Sequence, residues 1–192
     1  MLLTNKKIIF GLTSSQYAFE KTIPQMIRLN KEGTDIIPVM SYDAYNIDTK
    51  FGKAKDFVKR IEEVSLKKII HTNEEVENFN NFNEIDIMII APCSGNTIGK
   101  LGVGIMDTPV LKMARKILRN DKSLILGIAT ADGLGGNAEN IGKLLNRKNI
   151  FFVPFRQDNP ITKPRSLVFD PKYILDTILK ALEREQIQPI LM

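Results

Sequence analysis

The sequence contains one cysteine, one histidine and no tryptophan among its 192 residues. The single cysteine, Cys93, excludes an internal disulfide, and the single histidine, His71, excludes a metal site built from several histidines or cysteines. A catalytic cysteine–histidine pair stays formally possible, and any serine-hydrolase triad would have to use His71. Disulfide scaffolds and zinc clusters are therefore excluded as candidate classes, and no metal site is predicted.

Long apolar runs are also absent. The longest, residues 87–93, is far shorter than the ~20 residues that a membrane-spanning helix needs. The chain reaches Lys6 and Lys7 without the apolar stretch of a signal peptide. We therefore expect a cytoplasmic protein that does not enter a membrane.

The composition is that of an ordinary globular protein, with 43% hydrophobic and 26% charged residues. A chain of this length buries about 70% of its unfolded surface around one core, which predicts a single domain over residues 1–192. The net charge is +5, but the basic residues occur in pairs, with no interleaved aromatic residues to stack on bases. This pattern favours an anionic small molecule as the partner over nucleic acid.

Short β-rich runs alternate with segments of helical period. We predict strands at residues 7–12, 35–40, 68–70, 85–92, 123–130 and 150–155, with helices between them and a last helix over residues 172–184. Pro24 is expected to kink or restart the first helix, and residues 154–171 form the one long irregular stretch. This alternation predicts a single-domain α/β fold, a three-layer, doubly wound parallel sheet of the Rossmann or flavodoxin type.

Two strand ends carry hydroxyl groups at the edge where ligands of such sheets bind. Residues 11–16 (GLTSSQ) place three hydroxyls at an expected helix start, where free N–H groups favour an anion, although plain helix capping explains them equally well. Residues 41–43 (SYD) follow the second strand, where a phosphate donor and a simple turn are both open interpretations.

A third strand end, residues 91–97 (APCSGNT), is richer in small and polar residues than a plain strand-to-helix turn requires. Small residues let the backbone approach a flat ligand, and Asn96 and Thr97 offer an amide and a hydroxyl. Cys93 is interpreted as a small buried apolar residue, since no base stands beside it. Asp107, which precedes a helix that Pro109 opens, is interpreted as the cap of that helix.

The APCSGNT segment resembles the P-A-S-A-N-T motif of the homo-oligomeric flavin-containing cysteine decarboxylase superfamily, and residues 11–18 (GLTSSQYA) resemble its phosphate loop. Further segments resemble the B subunits of dipicolinate synthase, a family within that superfamily. They are residues 11–20 (GLTSSQYAFE), 41–54 (SYDAYNIDTKFGKA), 107–120 (DTPVLKMARKILRN), 149–160 (NIFFVPFRQDNP) and 186–192 (QIQPILM). Together they cover nearly the whole chain in order.

The resemblance implies FMN as the cofactor and a homo-oligomer, a trimer or a multiple of trimers. It implies that the FMN phosphate is held by Gly11, Thr13, Ser14, Ser15 and Ser41. It places beside the isoalloxazine the motif residues Cys93, Ser94, Asn96 and Thr97. It also implies a two-subunit oxidoreductase of bacterial sporulation, in the mother-cell cytoplasm, that oxidises a dihydrodipicolinate-type intermediate to pyridine-2,6-dicarboxylate. The A subunit of that enzyme would be the partner, with NAD(P) bound there.

Two features of the cysteine decarboxylases are missing. His71 lies too far upstream to match their active-site histidine, and Asn78 is nearer that position. Residues 129–137 (ATADGLGGN) stand where their P-x-M-N segment would be. An FMN-dependent decarboxylase, a prenylated-flavin synthase and a non-catalytic ligand- or partner-binding component remain the alternatives.

No catalytic residue is identified from the sequence. Asp132 is a candidate base only because it lies in a polar loop at a strand end, where acids also cap turns. An anionic dicarboxylate substrate needs two basic anchors, and Arg156 and Arg165, in the loop after the last strand, are the candidates.

Overall fold

Five parallel strands form the centre of the sheet. In the computed structural model, which describes residues 1–192, they are β1 (Lys7–Leu12), β2 (Asp35–Met40), β3 (Ile87–Ser94), β4 (Ser123–Thr130) and β5 (Ile150–Phe152). They lie in the order β2-β1-β3-β4-β5. This is the flavodoxin-like order, in which the direction of winding reverses between β1 and β3.

An antiparallel hairpin extends the sheet beyond β4. Its strands are β6 (Phe155–Asn159) and β7 (Lys163–Phe169), and β7 pairs with the end of β4 at Ala129 and Thr130. The seven-stranded sheet is therefore mixed: the expected parallel, doubly wound sheet forms its centre and carries an antiparallel hairpin, and the expectation of an irregular stretch over residues 154–171 was wrong. The sequence does not indicate the hairpin, because most of β6 and the first half of β7 are exposed and polar and show no alternation of apolar residues.

Eight α-helices pack around the sheet. They are α1 (Phe19–Lys31), α2 (Tyr42–Asn46), α3 (Ala54–Ser65), α4 (Asn73–Asn78), α5 (Gly95–Val103), α6 (Pro109–Arg119), α7 (Ala138–Leu145) and α8 (Ile174–Leu182). None of them combines the length and the apolar character needed to cross a membrane. α1 continues through Pro24 as one helix and begins only after a 3₁₀ turn, Gln16–Ala18, so the hydroxyls of residues 13–15 do not open it.

One continuous core of 50 buried residues lies between the sheet and the helices. Every residue of β3 and of β4 is buried, as expected of central strands covered on both faces. The predicted strand at residues 68–70 is reduced to one isolated bridge between Val39 and Ile70. Because one core unites all the strands, we infer that residues 1–192 form a single domain.

Candidate functional site

A polar cleft of about 210 Å³ opens at the carboxyl ends of β1 and β3. This is the switch point of the sheet, the place where ligands of such folds bind. The cleft is lined by residues that follow β1, β2 and β3 and by residues before α6, namely Ser14, Ser41, Tyr42, Asp43, Ser94, Asn96, Thr97, Lys100, Asp107 and Thr108. The structure thus brings together five of the predicted cofactor residues from three separate parts of the sequence.

The residues after β3 form one wall of this cleft. Ser94 caps α5, and its Oγ accepts the N–H of Thr97 at 3.4 Å and lies 3.0 Å from the Thr97 hydroxyl. Asn96, between them, is exposed to the cleft, and its amide makes no hydrogen bond within the chain. Because the first N–H groups of a helix have no intrahelical partner, the start of α5 adds backbone donors to the free amide of Asn96.

Only one of the three hydroxyls after β1 faces the cleft. Ser14 is exposed there, whereas the Thr13 hydroxyl donates to the carbonyl of Pro92 at 2.8 Å and accepts the N–H of Ser94 at 2.8 Å. The Ser15 hydroxyl donates to the carbonyl of Ala129 at 2.9 Å. Thr13 and Ser15 therefore join the ends of β1, β3 and β4, and their side chains are not on the cleft wall.

Ser41 contributes to the cleft from the end of β2. It caps the short helix α2, accepting the N–H of Ala44 at 3.4 Å, while its own N–H donates to the carbonyl of Leu12. Ser41 therefore forms the turn after β2, and it also lines the cleft.

Gly11 and Cys93 lie in the core and not in the cleft. A Cβ on Gly11 would lie 3.1 Å from a methyl carbon of Val110, so this glycine packs closely against α6. Cys93 is completely buried in β3, and burial raises the pKa of its thiol. The structure supports its interpretation as a small apolar residue and does not place it where a cofactor would touch it.

Gly95 is needed for a reason that differs from the expected approach of a flat ligand. A Cβ on Gly95 would lie 2.5 Å from the hydroxyl oxygen of Thr130 and 2.9 Å from the amide nitrogen of Asn137. This glycine therefore lets α5 pack closely against the end of β4 and the residue that precedes α7.

Lys100 and Asp107 form an ion pair in the cleft, which the sequence patterns did not indicate. The Lys100 Nζ lies 2.6 Å from Asp107 Oδ2, and this hydrogen bond holds the pKa of the Asp107 carboxyl below its ordinary value. The prediction that Asp107 caps α6 was wrong, because the Thr108 side chain accepts the N–H of Leu111 at 3.3 Å and is the cap. The sequence itself indicates Thr108 as the cap, since proline is favoured in the first helical position, here Pro109, and the residue before that position is the cap.

The two predicted substrate arginines are not brought together at the cleft. Arg156 lines a separate cavity beside Tyr17. Arg165 accepts the N–H of Leu134 through its carbonyl, and its side chain lies beside Gly135 in the glycine-rich loop after β4. They therefore do not act as a pair of anchors around one ligand in this cleft.

The two remaining candidates also lie outside the cleft. The Asp132 carboxylate accepts the N–H of Gly136 at 2.8 Å, so it stabilises the turn of the glycine-rich loop. His71 stacks on Tyr45 with ring centroids 3.8 Å apart, and its Nδ1 lies 3.3 Å from the Glu75 carboxylate. Neither side chain is placed to exchange a proton with a ligand in the cleft.

Comparison with known proteins identifies the family of this chain. A family model described as Flavoprotein matches residues 2–180. The B subunit of dipicolinate synthase from Bacillus subtilis (strain 168) is 40% identical over 190 residues, which are 99% of this chain and 95% of that protein. The chain belongs to the flavoprotein family, among the dipicolinate synthase B subunits.

Two solved structures match this one to different degrees. The dipicolinate synthase B subunit from Bacillus halodurans has a TM-score of 0.90 at 38% identity, over 100% of this chain and 98% of that one. The FMN-dependent cysteine decarboxylase SpaF has a TM-score of 0.65 at 15% identity, over 96% and 98% of the two chains, and shows the shared fold alone. The resemblance and the α/β fold class expected from the sequence are confirmed.

The donor set of this flavoprotein's cleft fits a flavin nucleotide in its chemistry. Free hydroxyl, amide and backbone N–H groups bind the oxygens and nitrogens of such a ligand without bringing a competing charge. Of the two carboxylates on the wall, Asp107 is neutralised by Lys100, and Asp43 has no ion-pair partner. At about 210 Å³ the cleft is smaller than the ~300–1,000 Å³ of typical small-molecule sites, so one chain encloses only part of such a ligand.

Proposed function

We propose that this chain binds FMN in the switch-point cleft and acts as the B component of a two-component dipicolinate synthase. The observation that carries the proposal is the position of the free donors of Ser14 and Asn96 on one cleft between the ends of β1 and β3. Membership of the flavoprotein family and 40% identity to a dipicolinate synthase B subunit support it.

Each part of the cleft has a role in this proposal. The hydroxyls of Ser14 and Ser41, from the ends of β1 and β2, would bind the FMN phosphate. The amide of Asn96, the hydroxyls of Ser94 and Thr97 and the first N–H groups of α5 would bind the isoalloxazine side. Thr13 and Ser15 are positioning residues, because their hydrogen bonds hold the strand ends that carry these donors.

The proposed reaction converts a dihydrodipicolinate-type intermediate to pyridine-2,6-dicarboxylate, in the sporulating mother cell. The ring loses two electrons and two protons and becomes aromatic. FMN, when bound, supplies a two-electron acceptor. This chain binds and orients the reactants, and an NAD(P)-binding A subunit completes the enzyme.

The assembly is part of the proposal. A cleft that encloses only part of a flavin is suited to completion by a neighbouring chain, and we propose a homo-oligomer, a trimer or a multiple of trimers. Light scattering of the purified chain tests this directly, and a monomer at working concentration would contradict it.

The test of the cofactor site is a titration of the purified chain with FMN, followed by flavin fluorescence. We expect saturation near one FMN per chain and binding weakened about 2- to 12-fold by Asn96→Ala, the effect of losing one neutral hydrogen bond. Asn80→Ala is the matched control, since Asn80 is an exposed asparagine that lies outside the cleft and makes no hydrogen bond within the chain. Absence of saturable binding at millimolar FMN would refute the cofactor site and leave the fold untouched.

The test of the activity is reconstitution of the two-component enzyme. We expect formation of pyridine-2,6-dicarboxylate to need this chain together with the A subunit. If the partner turned over without this chain at the rate of the complex, this chain would be a non-catalytic binding component. Product analysis with a cysteinyl peptide and with dimethylallyl phosphate would reveal a decarboxylase or a prenylated-flavin synthase instead.

A further inference from the structure

A second cavity, of about 170 Å³, lies between the 3₁₀ turn Gln16–Ala18, the start of α1 and the β6–β7 hairpin. Its lining includes the apolar residues Val168, which is partly exposed, and Phe169. The lining also includes charged groups and a phenol, from Tyr17, Lys21, Arg156, Asp158 and Asp170. The cavity thus combines a surface for a small ring with groups that bind polar atoms.

The acids of this cavity are neutralised by lysines that do not line it. Asp158 pairs with Lys163 at 3.1 Å, and Asp170 pairs with Lys172 at 3.2 Å. Two cations are left facing the cavity.

These two cations, Arg156 and Lys21, have little compensation of their own. The Arg156 guanidinium reaches the Asp170 carboxylate only at 3.9 Å, and Lys21 has no ion-pair partner in the chain. The excess of positive charge at the cavity therefore favours an anionic ligand.

Tyr17 adds a neutral donor to the lining of the cavity. Burial, and secondarily the nearby Asp158 carboxylate, raises the pKa of the Tyr17 phenol to about 12. The phenol therefore keeps its proton at neutral pH, and its hydroxyl makes no hydrogen bond within the chain. It is free to donate to an oxygen of a ligand.

We propose that this cavity binds the carboxylate of a small cyclic acid, held by Arg156, Lys21 and Tyr17. A guanidinium and an ammonium are the side chains that bind carboxylates most strongly, and the apolar residues of the lining contact the ring. At about 170 Å³ the cavity, like the switch-point cleft, is below the ~300–1,000 Å³ of typical small-molecule sites, and its size suits a single small ring. Identification of the acid with the dicarboxylate of the reaction rests on the proposed function, whereas carboxylate binding itself does not.

The test is calorimetric titration of the full chain, with neither FMN nor the partner protein present, with pyridine-2,6-dicarboxylate and with pyridine-2-carboxylate. We expect saturable binding near one per chain, weakened about tenfold by Arg156→Gln, since the charge-assisted bond is lost from a partly exposed site. Tyr17→Phe should weaken binding a few-fold. Arg147→Gln is the matched control, an exposed arginine without an ion pair just beyond the end of α7.

Four results would overturn the proposal. They are no saturable binding at millimolar ligand, an equal loss in Arg147→Gln, no loss in Arg156→Gln, and a loss in Asn96→Ala alone, which would place the acid in the switch-point cleft. The side chain of Arg156 is 57% exposed, so its replacement does not disturb the core, and an unchanged circular dichroism spectrum verifies this. Carboxylate binding without FMN binding would refute the proposed cofactor and keep this cavity. FMN binding without carboxylate binding would refute the carboxylate site in this cavity and keep the proposed cofactor.

Discussion

Gly95→Ala should destabilise the chain, because it adds a methyl group where α5 meets β4. The new Cβ would lie 2.5 Å from the Thr130 hydroxyl oxygen and 2.9 Å from the Asn137 amide nitrogen. Thr130 is buried and β-branched, so its side chain has little freedom to move away. The helix or the strand end must therefore shift.

The expected magnitude follows from two opposing effects. Overpacking of a close contact costs about 1–3 kcal/mol, and because Gly95 is the first residue of α5 the gain in helix propensity is less than the about 1 kcal/mol of a helix interior, so we expect a net loss of about 1–2 kcal/mol. Gly99→Ala, one turn later in α5, is the matched control, since its nearest neighbours would lie at 3.7 Å, an ordinary contact distance. We expect Gly99→Ala to stabilise the chain by about 0.5–1 kcal/mol, through helix propensity alone.

Thermal unfolding of the chain without FMN separates the two variants. A change of 1 kcal/mol shifts Tm by about 2–4 °C at this length. Gly95→Ala should therefore lower Tm by several degrees, and Gly99→Ala should raise it slightly. A Gly95→Ala chain as stable as the wild type would refute the packing argument. If FMN affinity alone then fell, the glycine would be needed for approach to the ligand.

Three other replacements or treatments test individual groups. Lys100→Gln should raise the pKa of Asp107, which an NMR titration measures. In the wild type the lowered pKa of Asp107 stabilises the folded chain at pH values above the unfolded-state pKa, and this stabilisation is lost as the pH falls through the folded-state pKa. If Lys100→Gln left the dependence of unfolding on acid pH unchanged, the pairing would be contradicted. Cys93 should resist iodoacetamide at pH 8 until the chain unfolds in urea, and rapid labelling of the folded chain would show that the thiol is not buried. Asp43→Asn should tighten FMN binding a few-fold without affecting riboflavin, because an unpaired carboxylate repels a phosphate, and equal effects on both flavins would place the phosphate elsewhere.

The sequence predicts the strands well where burial sets the pattern. The predictions for residues 7–12, 35–40 and 123–130 are confirmed to the residue, since apolar runs of this kind belong to strands covered on both faces. The position of the cleft also follows from the sequence, because three polar junctions after parallel strands have to meet at one edge. The motifs that carry the family resemblance lie at two of these junctions.

The hairpin and the ion pair show what local patterns miss. Most of β6 and the first half of β7 are exposed and show no apolar period, and the pairing of β7 with Ala129 and Thr130 depends on where β4 ends. Lys100 and Asp107 lie on either side of the turn between two helices, and their approach to 2.6 Å depends on how α5 and α6 pack.

Local patterns in the sequence were enough to establish the class of fold, the parallel strands at its centre and the edge at which polar groups collect. These depend on periods of two and of 3.6 residues, which are visible within short windows of the chain. Which polar groups are free at that edge depends instead on long-range packing. Thr13 and Ser15 turn inward because their hydroxyls meet carbonyls 79 and 114 residues away in the chain, on β3 and β4. Ser14, between them, meets no such partner, and its hydroxyl is left for a ligand.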